Sequence, residues 1–224
     1  APFYVTYCRL SDAPGAKGIG AVLVGKDMDG VSFGAREHLM GFRGIETRDI
    51  ILDNVLVPHD NLIVPAGSFG RLMSAFGLER CGNATMGLGV AAAALEQALA
   101  YTQERKAFGK PIAEFQALQF RIADMETELQ AARIFLRQAA WKLDQKAPDA
   151  TRHCAMAKRL VTDLSFRVAN DALQLHGGYG YIKEYPLERH FRDVRVHQIL
   201  EGTNEIMRLI IGRRILAEGS QEIL

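Results

Sequence analysis

Two patterns of hydrophobic residues divide this chain near residue 66. Before that point, short runs of β-branched and aromatic residues alternate with Gly, Pro and Asp turn signals. After Pro65, apolar residues recur every three or four positions almost to the end, which is typical of helices that bury one face. The two patterns predict an α+β protein, with a partial antiparallel β-domain over residues 1–65 and an all-α four-helix bundle over residues 66–224.

Four segments of the β-rich region are predicted strands. They are Phe3–Cys8, Gly20–Val24, Val31–Gly34 and a strand or hairpin within Asp49–Pro58. About 60 residues are few for a complete barrel, and the chain lacks an initiator Met. We therefore expect the chain to be a fragment or a processed product.

Four long stretches carry the helical spacing, over about 69–104, 112–146, 149–175 and from about 203 onward. The second has a seam of apolar residues in steps of four and three, formed by Leu118, Ile122, Met125, Leu129, Ala132, Leu136, Ala139 and Leu143. The first is rich in Ala and Gly between residues 84 and 94, which lets a neighbouring helix or a second subunit approach closely. Long helices with short connections predict a bundle.

Composition narrows the classes of partner. Lys and Arg total 27 against 26 for Asp and Glu, and a net charge of +1 gives no reason to expect nucleic acid or an anionic membrane. No signal peptide is recognised, and no apolar run approaches the roughly 20 residues of a membrane span. The three cysteines stand apart, without the spacing of a zinc site, so we predict no metal and expect small buried thiols in a reducing compartment.

The connection Glu104–Pro111 places cations and one aromatic residue at the tip of a helical hairpin. Such a tip suits a diphosphate, with Phe108 available to lie against a flat ring. The alternative is a cationic helix end followed by a Gly and Pro stop. The order of residues alone leaves both interpretations open.

The third helix is followed by a glycine-rich connection, Gln174–Gly180. Two adjacent glycines expose backbone amides and allow a phosphate or nucleotide to come close. A helix C-cap explains them equally well. The neighbouring His176 and His190 are candidate ligands or bases, and core or surface residues in the alternative reading.

The connection before the last helix contains Glu201, Gly202 and Thr203. Gly202 allows a backbone bend, and Thr203 is a good N-cap for the helix that follows. The carboxylate of Glu201 is a candidate proton acceptor. The alternative is a surface acid that compensates the helix dipole.

Taken together and in this order, the loop motifs resemble the acyl-CoA dehydrogenase family. The resembling segments are Arg43–Gly44, Val57–Pro58, Glu104–Gly109 with Gln116, Gln174–Asp193 and Glu201–Thr203. Each motif is weak alone, but the joint resemblance covers essentially the whole chain and corresponds to the C-terminal two-thirds of such a protein.

The resemblance implies an FAD flavoprotein with an N-terminal helical domain, a central β-domain and a C-terminal four-helix bundle, usually assembled as a homotetramer, a dimer of dimers. It implies that this chain lacks the helical domain and the first strands. The positions that match FAD contacts are Arg105, Phe108 and Gln116 across a subunit interface, Gln174, Gly177 and Gly178 near the adenosine and diphosphate, and Thr203 and Glu205 after the base. Family members commonly carry Gln at the Glu205 position, so this chain departs from the family there.

The family reaction removes the α-proton of an acyl-CoA thioester and transfers the β-hydride to flavin N5. Glu201 matches the usual base, and its backbone N–H is expected to bond the thioester carbonyl. The flanking Leu200 and Gly202 match substrate-binding positions, and Arg80 resembles an arginine that supports the active-site loop and CoA binding. Some branches, including isovaleryl-type enzymes, place the base where this chain has Glu79, so Glu79 is the alternative.

The loop residues look most like short-chain or branched-chain members such as isobutyryl-CoA dehydrogenase. The implied electron acceptor is electron-transfer flavoprotein, in the bacterial cytoplasm or the mitochondrial matrix. An acyl-CoA oxidase of the same fold is the nearest alternative, whereas the intact Glu201–Thr203 motif disfavours a flavin monooxygenase. A cofactor-free helical assembly module is the alternative from a different class.

Overall fold

A computed structural model describes residues 1–219 and confirms the predicted α+β class. The strands are β1 (Phe3–Arg9), β2 (Ile19–Gly25), β3 (Val31–Phe33), β4 (Ile50–Leu52), β5 (Leu62–Val64), β6 (Lys106–Ala107) and β7 (Lys110–Pro111). The helices are α1 (Phe69–Glu104), α2 (Gln116–Asp144), α3 (Ala150–His176), α4 (Leu187–Val194) and α5 (Asn204–Glu218). The predicted bundle therefore has its four long helices, and its last five residues, 220–224, lie outside the described residues.

The chain divides into two compact units, residues 1–39 with 44–76, and residues 40–43 with 77–224. The first unit contains a small apolar core of Ala21, Val64 and Leu72, with Phe69 packed against it. The predicted domain boundary near residue 66 lies just before α1 and stays a prediction.

The sheets are antiparallel throughout the described residues. Strand β2 lies between β1 and β5, with Phe3 opposite Gly25, and β3 pairs with β4. The expectation of a strand or hairpin within Asp49–Pro58 is met by the short strand β4. Strand β5 is not predicted from the sequence, because Pro58 and Pro65 flank it and indicate the end of the β-region.

The core of the second unit follows the predicted helical spacing. On α2, five seam positions are buried, namely Met125, Leu129, Ala132, Leu136 and Ala139. On α1, Ala84, Ala91, Ala94 and Ala98 are completely buried. Small side chains at these positions let the helix backbones approach closely, as the Ala and Gly content predicted.

Helix α4 is a helix that the sequence analysis missed. Its apolar residues Leu187, Phe191 and Val194 follow one another in steps of four and three, and the two end residues are completely buried. This spacing was the available signal. It was overlooked because the segment is short and lies beside the glycine-rich connection.

The cysteines differ from one another. Cys81 on α1 and Cys154 on α3 are buried with their sulfur atoms 3.7 Å apart, as expected of small buried thiols. Cys8 on β1 is only half-buried, so that expectation is wrong for this residue.

Within residues 1–219, no helix is long and apolar enough to cross a membrane, and no three His, Cys, Asp or Glu side chains are grouped to hold a metal ion.

A buried carboxylate joins α2 to α3. Asp149, only 7% exposed, accepts a hydrogen bond of 2.5 Å from Lys142 and lies 3.3 Å from the imidazole of His153 and 3.8 Å from Arg152. Burial raises the pKa of Asp149, but the hydrogen bond from Lys142 and the neighbouring charges of His153 and Lys142 outweigh it, so the pKa lies below its usual value of 3.8.

Replacing Asp149 by Asn is expected to lower the free energy of unfolding by about 1.5–3 kcal/mol at pH 7, the contribution of a hydrogen bond to a charged group. Because the folded-state pKa is depressed, this stabilisation is present above pH 3.8 and is lost as the pH falls through the folded value. Urea unfolding of parent and variant between pH 7 and pH 3 measures it. Asp144→Asn, at an exposed carboxylate of α2, should show no such pH-dependent difference.

Candidate active site

The loop between α4 and α5 carries Glu201 in an unusual backbone conformation. Glu201 has φ of 57° and Gly202 has φ of 91°, so two successive residues adopt the left-handed region. The hydroxyl of Thr203 accepts a hydrogen bond from the backbone N–H of Ile206 at 3.4 Å, which confirms the predicted N-cap of α5. The turn keeps Glu201 and its two following residues half-buried.

Arg80 on α1 lies close enough to interact electrostatically with Glu201. Burial lowers the pKa of the Arg80 guanidinium, which is 6% exposed, while the negative charge of the Glu201 carboxylate opposes that shift. The charges of Arg80 and Glu201 therefore interact in the folded chain.

Glu79 occupies a different environment. It precedes Arg80 on α1 and is exposed, whereas Arg80 is buried. The choice between Glu201 and Glu79 as base stays a prediction.

Near the loop, Leu200 is half-buried, and the exposed Glu205 forms an ion pair of 3.5 Å with Arg208.

Two buried polar residues near the loop were missed by the sequence analysis. Lys158 on α3 is completely buried and donates to the carbonyl of Gly202 and the side-chain oxygen of Asn204, each at 2.8 Å. Asn83 on α1, 1% exposed, donates to the carbonyl of Leu200 at 3.2 Å. Burial lowers the pKa of Lys158 to about 8.

Asp163 is a further polar anchor at the base of the loop. Its carboxylate accepts hydrogen bonds from the side-chain amides of Asn204 at 2.7 Å and Gln198 at 2.8 Å. Lys158 lies on α3 one helical turn before Thr162 and Asp163, and the three side chains form a polar group. A Lys and a Thr spaced four residues apart were the only signal in the sequence, and that signal is weak.

The β6–β7 hairpin confirms the predicted tip between α1 and α2. Phe108 at this tip is 95% exposed with φ of 53°, and Gly109 follows with φ of 85°. The guanidinium of Arg105 lies 5.8 Å from the ring centre of Tyr179. The hairpin base and the glycine-rich connection are therefore neighbours, which the chain order did not reveal.

The glycine-rich connection forms a helix C-cap, and part of its backbone is unobstructed. Gly177 is the C-cap of α3, with φ of 59° and its N–H bonded to the carbonyl of Gln174. No atom lies within 4 Å of the positions that a Cβ would take on Gly177 or Gly178, so their backbone is open to a ligand. Gly180 is different, because a Cβ there would lie 2.4 Å from the carbonyl oxygen of Leu173.

A cleft of about 590 Å³ lies between these two connections. Its walls include Arg105, Tyr179 and Leu187, together with Tyr101, whose ring stacks on His176 at 4.2 Å. The guanidinium of Arg105 and the aromatic walls fit the diphosphate and flat ring of a dinucleotide such as FAD. Gln174, in the last turn of α3, and Gln116, the first residue of α2, are both exposed.

The two candidate histidines are parts of the packed bundle. His176 is 4% exposed, its Nδ1 lies 2.9 Å from the carbonyl of Ala172, and burial lowers its pKa. His190 lies on α4, and its Nε2 is inaccessible to solvent. Burial lowers its pKa as well, so both side chains favour the neutral form.

Comparison with known proteins gives consistent results. Residues 69–216 match the family described as acyl-CoA dehydrogenase, C-terminal domain. The mitochondrial isobutyryl-CoA dehydrogenase of Dictyostelium discoideum is 45% identical over 213 residues, which cover 95% of this chain and 51% of that protein. The chain thus spans about half the length of this relative.

Solved structures agree with the sequence matches. Butyryl-CoA dehydrogenase from Megasphaera elsdenii aligns with a TM-score of 0.92 at 36% identity, over 96% of this chain and 56% of that one. PigA, described as an FAD complex, aligns with a TM-score of 0.92 at 29% identity, over 98% of this chain and 57% of that one. The family resemblance inferred from the loop motifs is confirmed, and the chain belongs to the acyl-CoA dehydrogenase family.

Proposed function

We propose that the protein containing this chain catalyses the FAD-dependent α,β-dehydrogenation of a short or branched acyl-CoA thioester. The observation that carries this proposal is the placement of Glu201. It is half-buried in a left-handed turn within electrostatic range of the buried Arg80, and buried side chains hold the turn through its backbone. FAD, when bound, accepts the substrate's β-hydrogen as a hydride.

The protein's own residues handle the α-proton. A thioester α-proton is weakly acidic, so its removal needs a base together with stabilisation of the oxygen that becomes enolate-like. Glu201 takes the proton, and its backbone N–H donates to the thioester oxygen. Leu200 and Gly202 border the acyl group, while the buried Arg80 supports the loop and the CoA.

The two connections beside the cleft hold the cofactor in this proposal. Arg105 binds the diphosphate, Phe108 lies against a flat ring across a subunit interface, and the open backbone of Gly177 and Gly178 lets the ligand approach. The remaining proposed FAD contacts are Gln116, Gln174, Thr203 and Glu205.

The similarity to isobutyryl-CoA and butyryl-CoA dehydrogenases supports a short or branched acyl group. Electron-transfer flavoprotein is the proposed electron acceptor, and a homotetramer the proposed assembly. A bacterial cytoplasm or a mitochondrial matrix is the proposed compartment.

Anaerobic mixing of the full-length flavoprotein with acyl-CoA thioesters tests the proposal. Isobutyryl-CoA and butyryl-CoA should bleach the flavin absorbance faster than octanoyl-CoA does. Failure of every acyl-CoA to bleach the flavin would refute the dehydrogenase activity. A preparation that neither contains nor takes up FAD would point to the helical assembly module instead.

Turnover with each electron acceptor separates dehydrogenase from oxidase. With electron-transfer flavoprotein as acceptor, turnover should exceed that with oxygen. The reverse preference would identify an acyl-CoA oxidase.

Replacing Arg105 by Gln is expected to weaken FAD binding about 10-fold or more, equivalent to about 1.4 kcal/mol, because a charge-assisted bond to the diphosphate is lost. Titration of FAD with apoprotein, followed by FAD fluorescence, measures the dissociation constant. Lys106→Gln removes the adjacent exposed cation on β6 and is the matched control. Equal weakening by both variants would indicate a general charge effect and contradict the specific role of Arg105.

A further inference from the structure

The loop that carries Glu201 is tied to two helices by side chains removed from solvent. Lys158 of α3 and Asn83 of α1 are 0% and 1% exposed. Both donate to the backbone of the loop. The accepting carbonyls belong to four residues around Glu201, namely His197, Gln198, Leu200 and Gly202.

The ammonium of Lys158 has three hydrogen-bond acceptors, and none of them is a carboxylate. They are the carbonyl of Gln198 at 3.2 Å, the carbonyl of Gly202 at 2.8 Å and the side-chain oxygen of Asn204 at 2.8 Å. A cation buried among neutral acceptors is costly, because hydrogen bonds to uncharged oxygens only partly replace its hydration. All three acceptors lie in the loop or at the start of α5. The buried ammonium of Lys158 therefore fixes the backbone of this loop.

Asn83 uses both ends of its amide on the same loop. Its nitrogen donates to the carbonyls of His197 at 2.9 Å and Leu200 at 3.2 Å, and its oxygen lies 2.5 Å from Nδ1 of His197. The edge of the Phe42 ring contacts the His197 imidazole, with 5.2 Å between ring centres. The segment before Glu201 is therefore fixed from both α1 and α3, while the segment after it is fixed from α3.

The backbone of the loop needs such support. Glu201 has φ of 57°, a conformation that residues with a side chain rarely adopt unless the surrounding contacts impose it. Without the two sets of hydrogen bonds, Glu201 would be free to return to an ordinary negative φ. That change would turn its carboxylate away from its present direction.

We propose that Lys158 and Asn83 are positioning residues for proton removal, because they impose the loop conformation that aims the Glu201 carboxylate at the substrate α-carbon. This inference rests on the proposed function. Neither side chain is assigned a contact with substrate, and both act through the backbone that carries the base. A misplacement of about 1 Å in such a group lowers a rate on the order of 100-fold.

The test isolates proton removal from hydride transfer. The full-length, FAD-loaded protein is incubated in D2O with 3,3-dimethylbutyryl-CoA, a thioester that has α-hydrogens and no β-hydrogen. Glu201 takes an α-proton, and the resulting acid returns a deuteron from solvent to the enolate, so the thioester gains mass without oxidation. Mass spectrometry follows the exchange, and dehydrogenation of isobutyryl-CoA supplies kcat and KM.

In Lys158→Met, the exchange rate and kcat should both fall about 100-fold, while KM stays within about threefold. The Met side chain has nearly the same length and lacks the three donors. Asn83→Ala removes the bonds on the α1 side and should lower both rates about 10-fold or more. This second variant also tests the inference if Lys158→Met does not yield folded protein.

Arg152→Met is the matched control. Arg152 is another buried cation of α3, 5% exposed, and it contacts Asp149 and the carbonyl of Gly219 rather than the loop. Its replacement should lower thermal stability while the exchange rate per bound flavin stays within twofold of the parent.

Two results would overturn the inference. One is an exchange rate within twofold of the parent in both Lys158→Met and Asn83→Ala. The other is an equal loss in Arg152→Met, which would indicate general destabilisation. A parent protein that neither exchanges α-hydrogens nor reduces its flavin with any acyl-CoA would instead refute the proposed function, so the two failures are distinguishable.

Discussion

Replacing Glu201 by Gln in the full-length protein is expected to slow flavin reduction by acyl-CoA about 10²–10⁴-fold, the usual contribution of a positioned general base. The amide has nearly the shape of the carboxylate and cannot accept the α-proton. The turn that presents residue 201, with φ of 57°, should remain, since its hydrogen bonds come from Lys158 and Asn83. Anaerobic stopped-flow bleaching of the flavin by isobutyryl-CoA measures the effect.

Glu79→Gln is the matched variant, because it removes the alternative base by the same chemical change. Glu79 is exposed on α1 in this chain, and its replacement should leave flavin reduction within about threefold of the parent. Unchanged FAD content in both variants shows that cofactor binding is intact. Normal reduction in Glu201→Gln with loss in Glu79→Gln would reverse the assignment of the base.

Replacing Leu187 by Ala is expected to lower the free energy of unfolding by about 2–5 kcal/mol and to weaken FAD binding as well. Leu187 is completely buried at the start of α4 and lies directly behind the cleft wall near Arg105 and Tyr179. Truncation leaves a cavity and loosens that wall. Urea unfolding measures the first effect, and FAD titration of the apoprotein measures the second.

Leu164→Ala is the control for this pair of effects. Leu164, 2% exposed on α3, belongs to the same core and does not line the cleft. Its truncation should destabilise the protein by a similar amount and leave FAD affinity within about twofold. Equal weakening of FAD binding by both variants would mean that affinity follows global stability, contrary to the proposed role of the cleft.

The sequence was a good guide to the long helices because their signal is local and repeated. The seam of α2 buries Met125, Leu129 and Leu136 as its steps of four and three required. The bounds of α1, Phe69–Glu104, coincide with those predicted. A stretch of 36 residues without proline leaves few alternatives to one long helix.

Short elements were less predictable because their stability comes from contacts distant in sequence. Strand β5 has only three residues and is defined by pairing with β2, where Val64 lies opposite Ala21. Helix α4 has eight residues, and the burial of Leu187 and Val194 depends on the rest of the bundle. Neither segment is long enough for periodicity to outweigh the turn signals around it.

The candidate site was predictable only where its residues form contiguous sequence motifs. Glu201, Arg105 and Gly177 belong to contiguous motifs whose order resembles one family. Lys158 and Asn83 belong to no such motif, and they lie in the interiors of two different helices. Their common target, the loop before α5, becomes evident only when α1 and α3 are placed side by side.

The attachment of one loop to two helices has a consequence for substrate choice. The segments on both sides of Glu201 are hydrogen-bonded to buried groups of the bundle. This loop is therefore a rigid floor of the proposed acyl-binding site, and its conformation is fixed before a thioester binds. A rigid floor does not adjust to a longer or more branched acyl group, so we expect selectivity to be set by walls elsewhere in the full-length protein. Changes made outside residues 197–204 should therefore redirect substrate choice with little loss of kcat.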